Sequence, residues 1–137
     1  MSKDYKISIR YFLLMTLMLL VTGIWMLILH TSLSLESFTN YYVEKSVFGL
    51  LEVATPHLFA MGTIVFIITH FLSLNRKNSS FESKLTLSLF TVMLVSNFSG
   101  FFVTEQTTYL VWVKIVSTLL FFIFMLLVIW RVFFRAY

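Results

Sequence analysis

The chain has no cysteine. Disulfides, thiolate metal sites, iron–sulfur clusters and covalent c-type haem attachment are excluded. Charge is scarce too, at 12% of residues, against roughly 25% in soluble domains. A water-facing surface cannot be built from so few charges. No nucleophile–base pair, phosphate loop or pair of carboxylates within one span is present, so catalysis of the soluble-enzyme kind is not expected. No internal repeat or low-complexity segment is evident.

What the chain does have is apolar surface. Apolar residues make up 59%, with sixteen Phe and three Trp, and the mean hydropathy is +0.93. A bilayer core about 30 Å thick takes roughly 20 apolar residues per helix. Four such spans and short loops use up the 137 residues. The expected fold is all-α, a single integral membrane domain over 1–137. It is a four-helix transmembrane bundle, antiparallel up-down, with spans at about 11–30, 55–74, 82–104 and 108–132.

Local signals place the segments between. Lys3, Lys6 and Arg10 precede an apolar stretch as in a signal peptide, but no small-x-small cleavage site follows, so the stretch reads as a retained span. A polar loop runs from Thr31 to Asn40 and carries Glu36. Tyr41 to Glu52 has Val43, Val47, Leu50 and Leu51 at helical spacing, which predicts a short amphipathic helix at the interface. Thr55 and Pro56 read as the N-cap and first residue of span two. Ser79 and Glu82 form a capping box for span three.

Orientation follows from the basic residues. Lys3, Lys6, Arg10, Arg76, Lys77, Lys84, Arg131 and Arg135 fall on one side. Lys45 and Lys114 fall on the other, with Glu36, Glu44, Glu52 and Glu105. Both termini are therefore expected in the cytoplasm. Topology accounts for the basic residues, so nucleic-acid binding is not expected. The partners implied are the lipid bilayer and other membrane subunits or a second copy.

All three histidines lie on the first two spans. His30 ends span one and His57 opens span two, both at the outer depth. Two neutral imidazoles at one depth on facing helices can ligate one haem iron from both sides. Gly23 precedes His30 on nearly the same face, and Gly62 follows His57; missing side chains there let a flat macrocycle approach the backbone. Lys114, in the first turn of span four, can pair with haem propionates, as can Lys45. Asn97, with Ser96 and Ser99, can hydrogen-bond a ligand histidine or a quinone. Each has a plainer reading: headgroup-level or capping histidines, a snorkelling lysine, an asparagine bonded to a neighbouring helix, and glycines at a close helix contact.

His70 lies about 20 Å along the helix from His57, which suits a second, stacked haem. Thirteen residue steps, however, leave the two about 140° apart. A single π-bulge would align them. The inner partner would be Met15, Met18 or His70 of a second subunit, so one haem b is favoured over two. A small transporter, or a copper or zinc site, using His30, His57 and Glu52 is a further alternative. Transport usually needs polar or broken helices at the midplane, and here the midplane is almost wholly apolar.

With four spans, His30, and the segment His57-Leu58-Phe59-Ala60-Met61-Gly62 running on to His70, the chain resembles the small four-helix membrane cytochromes b. These include bacterial b561-type proteins and the haem-anchoring subunits of respiratory complexes. The resemblance implies a bacterial cytoplasmic membrane and electron transfer between quinone and a partner at the outer face. Twelve residues separate His57 from His70, where the di-haem families have thirteen, and there is no fourth histidine. The competing expectation is a non-redox structural or assembly subunit of a larger membrane complex.

Overall fold

A computed structural model describes residues 3–32, 34–73 and 80–135. Among the described residues there are five α-helices: α1 (Lys3–Thr31), α2 (Leu35–Val43), α3 (Val47–Ser73), α4 (Ser80–Phe98) and α5 (Leu110–Arg135). A 3-10 turn, Ser99–Phe102, extends α4. Among the described residues four segments are long and apolar enough to cross a bilayer: Asp4–Thr31, Val47–Ser73, Ser80–Phe102 and Leu110–Phe134. The chain is a membrane protein whose helix faces meet lipid.

The bundle is antiparallel. Phe12, early in α1, packs edge-on against Phe71 near the end of α3, with centroids 5.5 Å apart. Glu82, early in α4, lies 4.0 Å from Arg131 near the end of α5, and Ser96 near the end of α4 bonds Thr118 early in α5. The α4–α5 pairing is the most extensive, followed by α3–α4, and α1 is applied lightly.

Each helix turns one stripe inward at the 3.6-residue period. On α5 it is Phe121, Met125, Val128 and Val132, and on α4 Leu85, Leu89, Met93 and Ser96. Val65, Ile68 and Leu72 of α3 complete the packing, with Ile9, Leu13, Thr16 and Leu20 of α1. Lipid tails are as apolar as leucine, so close packing and satisfied polar groups hold such helices together rather than removal from water. Some hydroxyls inside the spans bond back to their own helix: Thr16 donates to the Phe12 carbonyl and Thr69 to that of Val65. A second, smaller core of Phe38, Val103 and Val111 holds α2 against the start of α5.

Helix boundaries differ from the sequence expectation in a consistent way. The stretch expected as a polar loop, Thr31 to Asn40, forms most of α2. Ser34 caps that helix by accepting a hydrogen bond from the Ser37 amide at 3.0 Å. The stretch expected as a separate interfacial helix, Tyr41 to Glu52, is split between the end of α2 and the start of α3. Span two begins at Val47, not at Thr55. The hydroxyl of Ser46 accepts from the Gly49 amide at 3.2 Å, so the cap lies nine residues upstream of Thr55. Pro56 is inside α3. An interior proline costs about 3 kcal/mol in water, but helices in membranes tolerate it. The apolar spacing Val47, Leu50, Leu51, Ala54, Leu58 continues one helical face across it. Span one starts earlier than expected, at Lys3, and span four runs on to Arg135. Ser79 of the expected capping box, with Arg76 and Lys77, lies outside the described residues.

Candidate functional site

α1 parts from the bundle halfway along its length. Below Leu20 its inward stripe is buried, but between Leu20 and Thr31 no residue of α1 is buried. Thr31 is buried again where α2 begins. The gap is a cavity of about 470 Å³, within the usual range for small-molecule sites. α1 walls one side from Thr16 to Thr31, a rise of about 22 Å. The first half of α3, the α4 end with its 3-10 turn, and the first half of α5 form the other walls, and Tyr41 and Tyr42 of α2 close the top.

Seven of the residues singled out in the sequence line this one cavity: Gly23, His30, Lys45, His57, Ser96, Asn97 and Lys114. His30 Nδ1 lies 2.9 Å from the Met26 carbonyl. A carbonyl only accepts, so Nδ1 donates, and in the neutral ring this tautomer leaves the lone pair on Nε2. The ring also packs edge-on against Tyr41, centroids 5.8 Å apart. His57 is the eleventh residue of α3, not part of its first turn, because the helix starts at Val47.

The polar wall beneath Tyr42 is a small network. Lys114, one turn into α5, donates to the Ser96 carbonyl. That carbonyl also accepts from the Ser99 hydroxyl at 3.3 Å. The Ser96 hydroxyl bonds Thr118 at 2.9 Å. Asn97 donates to the Met93 carbonyl at 2.9 Å and lies 3.7 Å from the Met61 sulfur. Here α4 tightens into its 3-10 turn, which leaves carbonyls near a helix end for side-chain donors. The Lys114 ammonium lies 5.6 Å from the Tyr42 ring centroid. Burial, and after it the neighbouring Tyr41 phenol, pushes the Tyr42 phenol well above its ordinary value, so it stays a neutral hydroxyl.

Gly62, His70, Ser99, Glu52, Met15 and Met18 do not line the cavity. Gly62 borders a shallow pocket with Leu58, Phe59, Thr63 and Phe66. A Cβ there would meet nothing within 4 Å, so the glycine admits neither a macrocycle in the main cavity nor a close helix. His70 is exposed and does not line the cavity. α3 is α-helical throughout, with no π turn, so the rotation between His57 and His70 stands. Met15 and Met18 are 69% and 62% exposed, on the outward side of α1. Among the described residues no three His, Asp or Glu side chains gather to hold a metal ion, so His30, His57 and Glu52 form no such trio.

Sequence reading passed over Gly100, Thr118 and Met61 as site residues. Two of them carried a spacing signal: Thr118 follows Lys114 by four residues and Met61 follows His57 by four, which puts each pair on one helix face. Gly100 had no such signal, because its role depends on Tyr42 arriving from α2.

No curated protein and no solved structure matches the chain. A family model described as a transmembrane helical domain, Aq_1264_TM, matches residues 35–137. The matched stretch takes in α2 to α5, with Tyr42, His57, Asn97 and Lys114, and leaves out α1 with Gly23 and His30. With well over half its length matched, the chain belongs to the Aq_1264_TM family of transmembrane helical domains.

Proposed function

We propose that the protein is a b-type haem protein of the bacterial cytoplasmic membrane, carrying electrons between quinone and a partner at the outer face. In this reading His30 and His57 would hold the haem iron. One observation carries it: both imidazoles, from different helices, line one interhelical cavity with Gly23, Asn97 and Lys114. The donor set fits the group. His30 is fixed by the Met26 carbonyl in the tautomer that leaves Nε2 free, the second-shell arrangement typical of ligating histidines. When bound, haem supplies one-electron transfer at a potential set by its ligands and surroundings.

The other residues have roles that follow from their chemistry. Lys114 offers a positive charge to propionates. Asn97 holds the end of α4 and its amide stands at the cavity wall. Leu20, Leu27, Ile64 and Phe121 keep water out. His70 has no part in ligation, so one haem follows rather than two. The excess of Lys and Arg at the opposite end of the bundle supports a topology with the His30 end outside and both termini in the cytoplasm.

An absorbance spectrum of dithionite-reduced protein, purified from haem-replete cells, tests the reading. A b-type α-band is expected; a colourless preparation overturns it.

A second reading, a cofactor-free subunit of a larger membrane complex, is favoured by α1. That helix buries only a narrow stripe and exposes Trp25, Met26 and Leu29. Copurification with a stoichiometric membrane partner and no chromophore is its expected result.

A further inference from the structure

The charged side chains that line the cavity are all of one sign. Among the described residues Lys45 and Lys114 line it, and no Asp or Glu does. The two ammonium groups flank one tyrosine pair. Lys45 Nζ lies 2.7 Å from the Tyr41 hydroxyl and 4.2 Å from that ring's centroid. Lys114 stands over Tyr42, and the two tyrosine rings touch, with centroids 5.1 Å apart. Among the described residues neither lysine has a carboxylate within 4.0 Å. At the other end of α5 the cation Arg131 does have one, Glu82.

A carbonyl and a ring face offset part of the cost of a half-buried ammonium, but they supply no net negative charge. Intramembrane cations mark substrate and ligand sites for this reason. Below the lysines the cavity runs down between apolar faces of α1, α3 and α5 as far as Thr16 and Met125.

We propose that the cavity selects an acidic amphiphile: a carboxylate held between Lys114 and Lys45, on an apolar body that lies along α1 and α5. The selection acts through charge and does not rest on His30 or His57. A fatty acid and the propionate edge of a tetrapyrrole share this chemistry.

The test is binding to the full-length protein in neutral detergent, read by quenching of intrinsic fluorescence. Oleate is compared with oleyl alcohol, and metal-free protoporphyrin IX with its dimethyl ester. At least one acid should bind roughly tenfold tighter than its neutral partner, or about 1.4 kcal/mol. Lys114→Gln should remove that preference and Lys114→Arg retain most of it. Both comparisons are made on haem-free protein with iron-free ligands, which separates this proposal from haem ligation. A preference confined to oleate assigns the site to an acyl chain, and one confined to the porphyrin assigns it to a tetrapyrrole. Equal binding of acid and neutral forms to the unsubstituted protein overturns the proposal. So does a preference that survives Lys114→Gln combined with Lys45→Gln.

Discussion

A Cβ on Gly100 would stand 2.7 Å from Cε1 and 3.0 Å from Cδ1 of Tyr42. The ring of α2 therefore rests against the backbone of the 3-10 turn, in space that only glycine leaves open. Tyr42 in turn covers the Lys114 ammonium. Gly100→Ala should displace the ring and cost about 1–3 kcal/mol, the usual range for overpacking. Unfolding of the two proteins in the same detergent measures this. Lys114 should become more reactive toward amine acylation in the variant.

Ser32 ends α1 with φ at 45°, where its amide bonds the Ile28 carbonyl at 2.9 Å. A left-handed residue other than glycine costs roughly 1–2 kcal/mol, and glycine loses part of that gain through its freer unfolded chain. Ser32→Gly should stabilise the protein by about 0.5–1 kcal/mol, and Ser32→Val should destabilise it. Thermal unfolding of the pair reads both signs.

Thr107 ties the turn between the 3-10 segment and α5. Its hydroxyl donates to the Phe102 carbonyl at 2.6 Å, accepts from the Thr104 amide at 3.1 Å and meets the Thr104 hydroxyl at 2.7 Å. Thr107→Val should cost about 1–2 kcal/mol, since each such bond contributes about 1 kcal/mol net at an exposed site. Thr107→Ser should recover most of it. Hydrogen exchange at the Thr104 amide gives the local readout.

Glu82 is buried, 4.0 Å from Arg131, whose guanidinium also stands 4.2 Å from the Phe81 ring centroid. The pair joins α4 to α5 at the end opposite the cavity. Arg131→Met should cost roughly 1–3 kcal/mol, because a buried carboxylate loses a nearby cation. Arg131→Lys should cost less. A double-mutant cycle with Glu82→Gln isolates the coupling.

The spans were legible in the sequence because an apolar run of about twenty residues matches the thickness of a bilayer core. Their ends were less so. Pro56 read as a start signal, yet Ser46 supplies the cap and the apolar face continues through the proline. The short α2 was hidden in Thr31 to Asn40, where Ser34, Glu36 and Ser37 look like loop residues until Phe38 is seen packed on Val103 and Val111. For the site, antiparallel spans one and two carried the expectation that His30 and His57 share a level; the structure shows that both line one cavity. The same rotation argument separated His70 from His57. What the sequence did not disclose is the departure of α1 from the bundle above Leu20. That gap is a property of packing between helices, and no residue type in α1 announces it.

Haem content per chain in four proteins tests the central claim most directly: the unsubstituted protein and the His30→Ala, His57→Ala and His70→Ala variants, each purified from haem-replete cells. The account predicts about one haem per chain in the first and in His70→Ala, and loss of the low-spin b-type spectrum in the other two. An unsubstituted protein without haem, or a spectrum that survives His30→Ala and His57→Ala but vanishes in His70→Ala, would contradict it.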